Sequence, residues 1–337
     1  MRARPFGGRG SVPRALAVAG LLCAVAWLPA PVAQAGRAAR AAGPCGTLPY
    51  DQVDRPTYSH VVVIMDENVS YDQLQSSTLA PYLDSLTAAC GSEGSMHAAT
   101  HPSQPNYMAA TSGIASAVGA HTSADNIFFQ LQGAGKTWRT YADAMPAACS
   151  PFSSATPSYK AGHNAAFYYT DLRSPQNTCL QNDLPMSPGL DAAIANDTLP
   201  SYAWIVPDLC ADMHWTSTCD LPRAQRVGMG DDWLAQIVPR LTAMPSYQAG
   251  QTLILLTFDE GGETATNGVD CTDPAYYPTH PDCHIATVVV SPYIVPGAVD
   301  HSDQNTYSLL GTTEDILGLA RLNRAVGQPS MRPGLGF

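Results

Sequence analysis

Lysine is almost missing from this chain: Lys136 and Lys160 are the only two in 337 residues, and the formal net charge is −11. A surface this acidic repels nucleic acid and anionic bilayers at long range, which excludes a nucleic-acid partner. An anionic substrate would need positive charge supplied locally, most simply by a metal ion. Long hydrophobic runs are lacking after the first 35 residues; no later stretch approaches the roughly 20 apolar residues of a membrane-spanning helix. Glycine-rich dinucleotide and phosphate-loop fingerprints are absent, no internal repeat is visible, and no two cysteines have the short spacing of a zinc knuckle.

Residues 1–35 read as a secretory signal peptide: a basic start (Arg2, Arg4, Arg9, Arg14), an apolar core from Ala15 to Leu28, and Ala33-Gln34-Ala35 as the cleavage site. The mature protein is then expected from Gly36, secreted and without a stable membrane anchor, and loss of the four leader arginines takes the net charge from −11 to −15. Of nine cysteines Cys23 leaves with the leader, and the even remainder in an exported chain reads as four disulfides. Sequential pairing (45 with 90, 149 with 179, 210 with 219, 271 with 283) keeps the last three loops short, and sequence leaves the other connectivities open. A flexible segment is expected over 36–55, one catalytic domain over 56–325, and a tail over 326–337; a monomer is expected.

Strand and helix patterns alternate along the body of the chain, which predicts an α/β fold with a largely parallel sheet. His60–Met65 is a β-branched run suited to a strand buried on both faces, and it ends in Asp66-Glu67-Asn68. Tyr202–Val206 runs into Asp208, Asp212 and His214, and Thr252–Phe258 ends in Asp259-Glu260-Gly261-Gly262. Each acid has a bland reading as a turn or cap residue. Three strands that all deliver carboxylates to one edge of a sheet are hard to explain by stability, because clustered like charges repel unless a cation sits among them. Glu67, Asn68, Asp259 and Glu260 are oxygen donors suited to one divalent ion, with Mg, Ca and Mn ahead and Zn kept open by nearby imidazoles.

Helices are expected over Ala80–Ala89, from Ser103 through Ala117, over Gly189–Asn196, from Gly230 with Asp231 or Asp232 as N-cap, and over Tyr307–Leu319, with Thr306 or Thr312 shaping its start. Gly133–Ala142 reads as a helix or a strand edge, Ile285–Ser291 as a fourth long strand, and 145–185 as an irregular insertion carrying His163. The segment Thr100-His101-Pro102-Ser103-Gln104-Pro105-Asn106-Tyr107 holds a hydroxyl at a helix start between two prolines. Ser103 is either a cap or a nucleophile; the three acid-bearing strand ends favour the nucleophile, with Asn106 shaping the turn or touching a phosphate.

His60–Asp72, the His101–Tyr107 segment, Pro207–His214, Gly230–Leu234, Asp259–Gly261 and Tyr307–Leu319 together resemble the bacterial phosphoesterase family of the alkaline phosphatase superfamily, in order and spacing over nearly all of the mature chain. That family includes secreted acid phosphatases, some acting on phosphatidylinositol 3-phosphate, and phospholipase C enzymes. The resemblance implies an alkaline-phosphatase-like three-layer sandwich and a metal held by Glu67, Asn68, Ser103, Asp259 and Glu260. It also implies a phosphoserine at Ser103, His163 and His214 on the phosphate or leaving group, Asp212 orienting His214 or assisting the metal site, and a less secure polar role for His284. Relatives often carry a histidine where this chain has Thr306, and His301 lies five residues earlier. The expected activity is a metal-dependent phosphomonoesterase acting on a phosphate ester, a phosphoinositide among the candidates; a phospholipase C-type phosphodiesterase and a non-catalytic binding protein are the alternatives.

Overall fold

A computed structural model describes residues 43–49, 56–75, 77–115, 121–154, 158–173, 178–262 and 266–337. The leader and parts of the 36–55 segment lie outside the described residues, all of which belong to one compact unit, 41–337. Ten strands are described: β1 His60–Asp66, β2 Gly91–Glu93, β3 Met96–His97, β4 Trp138–Ala142, β5 Asp183–Pro185, β6 Tyr202–Val206, β7 Thr252–Phe258, β8 Thr287–Val290, β9 Ala298–Asp300 and β10 Gln304–Asn305. The helices are α1 Tyr71–Gln75, α2 Pro81–Ala89, α3 Ser103–Ser112, α4 Ile127–Gly133, α5 Thr178–Asn182, α6 Met186–Ala195, α7 Arg223–Thr242, α8 Pro245–Gln248, α9 Thr306–Leu317 and α10 Arg332–Leu335.

Eight strands form the central sheet in the order β5-β4-β6-β1-β7-β8-β2-β9. Pairing is parallel throughout except at β8, which runs antiparallel to both β7 and β2. The three most apolar runs thus lie side by side at the centre, and every residue of β6 and β7 is buried, as is all of β1 after His60. Such strands read as continuous apolar runs because helices cover both faces. One layer pairs α2 with α7 and the other pairs α3 with α9, giving the expected three-layer arrangement.

Register decides where the acids go. In β1 and β7, Asp66 sits abreast of Phe258, and the ladder continues past the strand ends through Asp259 N–H to the Asp66 carbonyl (3.0 Å) and Glu67 N–H to the Asp212 carbonyl (2.9 Å). The carboxyl ends of β6, β1 and β7 therefore deliver Asp212, Glu67 and Asp259 to one crevice, where open α/β sheets bind ligands.

The four disulfides join 45 to 90, 149 to 179, 210 to 219 and 271 to 283. Gly133–Ala142 resolves into the end of α4 and strand β4. α3 stops at Gly113, whose φ of 71° is left-handed, so the helix ends before the expected Ala117. Asn305, not Thr306 or Thr312, caps α9: its side chain accepts from the N–H groups of Tyr307 and Ser308.

The cap role expected of Asp231 is corrected. α7 begins at Arg223, so Asp231 lies inside it, buried, and accepts from the backbone N–H of Tyr82 (2.9 Å) and Leu83 (2.8 Å). It satisfies the start of α2, where Ala80 offers no side-chain acceptor. Residues 331–337 also pack inward, with Met331, Leu335 and Phe337 buried.

Candidate active site

Ser103 is the first residue of α3, and Asn106 builds the turn before it. The Asn106 carbonyl oxygen accepts from Ala99 N–H (2.8 Å) and Thr100 N–H (3.1 Å), while its amide donates to the Thr100 carbonyl (2.7 Å). Asn106 is buried and committed to backbone, which is the turn-shaping half of its expectation. The Ser103 hydroxyl lies 3.0 Å from Glu67 Oε2, 3.1 Å from Glu260 Oε1 and 3.4 Å from Asn68 Oδ1. Asn68 has φ 44°, a left-handed conformation that asparagine tolerates better than most residues. Its amide donates to Glu260 Oε1 (2.7 Å) and its backbone N–H to Asp259 Oδ1 (3.2 Å). Glu67, Asn68, Ser103, Asp259 and Glu260 thus converge.

Glu67 is the hub. Tyr107 donates to its Oε1 (2.5 Å), His163 Nε2 lies 3.4 Å from Oε1 and His214 Nδ1 3.4 Å from Oε2. Burial pushes this carboxyl up, but the two imidazoles and the tyrosine outweigh it and hold the pKa at about 2. The rings of Tyr107, His163 and His214 form a near-parallel row, with centroids 5.8 Å and 6.2 Å apart. His163 is buried between Glu67 and Asp212, whose Oδ2 lies 3.2 Å from Nδ1. Asp212 Oδ1 accepts the backbone N–H of His214 (2.9 Å), across Met213 at φ 70°. α7 presses on this turn at Gly230, where a Cβ would come within 2.4 Å of Met213. Burial lowers the His214 pKa, but the hydrogen bond and charge of Glu67 raise it more.

Asp259 is a different case. Burial first, then the charges of Glu67 and Glu260, push its pKa well above the usual carboxylate range, and its buried Oδ2 has no hydrogen-bond partner among the described residues. Together with Glu67, Glu260, the Asn68 side-chain oxygen and the Ser103 hydroxyl, Asp259 makes a set of three carboxylates, an amide oxygen and a hydroxyl. That donor chemistry fits a hard divalent cation. Glu67, His163 and His214 also present ligand atoms within 4.8 Å of one another, whereas the other two such groupings rely on disulfide sulfurs, which are not thiolates.

Sequence reasoning missed a further line of residues: His101 Nδ1 lies 2.5 Å from Glu260 Oε2, and Nε2 lies 3.1 Å from Asp282 Oδ2. His101 directly precedes the Pro102-Ser103 turn, which was a usable signal; Asp282 carried none beyond its place beside Cys283. His284 is set apart from the cluster, stacked on Tyr71 (4.3 Å) and 5.7 Å from His97, because the Met96–Ile285 backbone pairing turns it toward β3. His301 is exposed beside Gly94 and does not enter the site. Ser103, Asn68, Glu260, His214, Trp215 and Asn267 help line a cavity of about 390 Å³.

The fold places the chain among alkaline-phosphatase-like proteins. A protein of that superfamily from Vibrio parahaemolyticus superposes with a TM-score of 0.54 at 14% identity, covering 83% of this chain and 72% of that one. Murine ectonucleotide pyrophosphatase/phosphodiesterase 5 gives 0.50 at 12% identity, covering 78% and 96%. The Phosphoesterase family model matches residues 78–320, and the chain belongs to that family, a phosphoric ester hydrolase by membership. Phosphatidylinositol-3-phosphatase of Mycobacterium tuberculosis is 28% identical over 333 residues, 94% of this chain and 93% of that protein. An acid phosphatase of Aspergillus fumigatus is 24% identical over 228 residues, and the match spans 47% of its length. No helix among the described residues is long and apolar enough to cross a membrane.

Proposed function

We propose that this is an exported, metal-dependent phosphomonoesterase in which Ser103 is the nucleophile. One observation carries the reading: the Ser103 hydroxyl opens a ten-residue helix, faces the cavity, and sits within 3.1 Å of two buried carboxylates, Glu67 and Glu260. The helix start contributes free N–H groups and a partial positive charge where phosphate oxygens would lie. Glu67, Asn68, Ser103, Asp259 and Glu260 would hold one divalent ion, which when bound neutralises phosphate charge and favours the serine alkoxide.

The residues then divide the work. Ser103 Oγ bonds to phosphorus as the ester's P–O bond breaks; the serine proton passes to Glu67 or Glu260, and the leaving oxygen takes a proton. His214, the partly exposed imidazole on the cavity wall, is the side chain placed to meet that oxygen. Water then attacks phosphorus and gives a proton to His214, the Oγ–P bond breaks, Ser103 Oγ recovers its proton from the carboxyl that took it, and phosphate leaves. His163, Asp212 and Tyr107 fix Glu67 from behind. His101 and Asp282 do the same for Glu260. Full-length similarity to a phosphatidylinositol-3-phosphatase supports a phosphoinositide as one candidate substrate, and the four disulfides support export.

Purified protein assayed on p-nitrophenyl phosphate and its bis-ester, with and without chelator, tests this. Turnover of the monoester should vanish with chelator and fall by ~10³-fold or more in Ser103→Ala. Undiminished turnover in that variant would overturn the nucleophile, and preference for the bis-ester would overturn the monoesterase.

A further inference from the structure

A second cavity, about 510 Å³, adjoins the first: His101, Pro102 and Asn267 line both. Its wall is built, not incidental. Residues 268–271 are tied to 99–101 by Gly268 N–H to the His101 carbonyl (2.7 Å), Cys271 N–H to the Ala99 carbonyl (3.1 Å), and the Thr100 hydroxyl to the Val269 carbonyl. At this cavity lies Arg324, the only lysine or arginine among the described residues lining either space.

The guanidinium carbon lies over the Tyr307 ring, 4.4 Å from its centroid. It donates from Nη1 to the Tyr307 hydroxyl (3.0 Å) and from Nη2 to Thr272 Oγ1 (3.1 Å) and Asp270 Oδ2 (3.3 Å). Those contacts use three of the five N–H donors of an arginine. Nε and one N–H of Nη1 are left without a partner among the described residues, on a side chain 49% exposed. In a strongly acidic chain, an oriented cation with spare donors beside the reaction cavity is a fixed anion contact, and guanidinium matches phosphate geometry.

Taking Ser103 as the reaction centre, we infer that the larger cavity receives the leaving alcohol and that Arg324 binds a second phosphate carried by that alcohol. The substrate class is therefore a phosphate monoester whose alcohol bears another phosphate, either a soluble organic bisphosphate or a phosphoinositide headgroup with its lipid phosphodiester. Asp270 competes for the same guanidinium and sets how tightly the second anion is held.

Calorimetry on Ser103→Ala protein with divalent cation present separates this from the phosphatase reading, because it needs no turnover. Glucose 1,6-bisphosphate should bind about tenfold tighter than glucose 6-phosphate, and dibutanoyl phosphatidylinositol 3-phosphate tighter than inositol 3-phosphate. Adding Arg324→Gln should shrink both ratios to within twofold; adding Asp270→Asn should widen them. Discrimination in the lipid pair alone would assign the contact to the lipid diester, and in both pairs to phosphate generally. Equal affinity within both pairs, or equal weakening of every ligand by Arg324→Gln, would overturn the proposal. Failure of the wild-type protein to hydrolyse glucose 6-phosphate or p-nitrophenyl phosphate would count against the phosphatase reading alone.

Discussion

Glu67 and Glu93 are the same residue, each at the carboxyl end of a strand of one sheet and each 0% exposed. Their surroundings make them opposites. Glu67 follows β1 in the parallel half, where Tyr107, Ser103 and two histidines surround the carboxylate and hold its pKa at about 2. Glu93 ends β2 beyond the antiparallel β8, with neither oxygen hydrogen-bonded among the described residues, and burial followed by the charge of Asp300 across the β2–β9 register pushes it up to about 9. Burial alone makes a neutral acid; burial among donors makes an anion. Strand-end position therefore does not set the charge of Glu67 or Glu93; the groups around each carboxyl do.

The largest break in this comparison comes from the anion. Glu67→Gln keeps the volume but removes the charge that Ser103, Tyr107, His163 and His214 all address. Monoester kcat/KM should fall by about 10²–10³-fold or more while far-ultraviolet circular dichroism stays native. Activity within tenfold of wild type would remove Glu67 from the centre of the site.

Glu93 should show itself only in stability. A carboxyl whose folded pKa is raised binds its proton more tightly folded than unfolded, so its contribution is complete below the unfolded value of 4.5 and is lost as pH climbs toward about 9. Glu93→Gln should therefore leave Tm little changed at pH 5 and raise it by several degrees at pH 8–9, at about 2–4 °C per kcal/mol. A variant with the wild-type slope of Tm against pH would show that Glu93 is solvated and ionised.

Long apolar runs made β1, β6 and β7 legible in sequence, and because parallel strands at the sheet centre end together, the gathering of Glu67, Asp212 and Asp259 at one sheet edge was legible with them. Shorter elements were not: β2 and β9 have three residues each, too few for a period to emerge. His284 misled because adjacency to a strand does not fix which edge a side chain reaches; a two-strand pairing with His97 on β3 decided that. His101 meets Glu260 across more than 150 residues of chain, with Asp282 on its other nitrogen, and only the folded contact reveals such a pairing. The N-cap role expected of Asp231 failed because α7 starts eight residues earlier, and a local pattern cannot say that a side chain inside α7 will meet the start of α2.

Asp231 also supplies the smallest contrast with Glu67 and Glu93: a buried acid whose carboxylate accepts, among the described residues, from two backbone N–H groups, those of Tyr82 and Leu83. Removing it leaves both donors at the start of α2 unmet, which costs about 1–2 kcal/mol, offset by a few tenths because alanine is the better residue inside α7. Asp231→Ala should lower Tm by a few degrees at pH 7, opposite in sign to Glu93→Gln at pH 8–9, and leave the chelator-sensitive activity of the folded protein intact. Unchanged Tm would mean that water replaces the carboxylate at no cost. Lost activity at full folding would mean that the α2–α7 contact, through Gly230 and Met213 beside it, holds His214 in place.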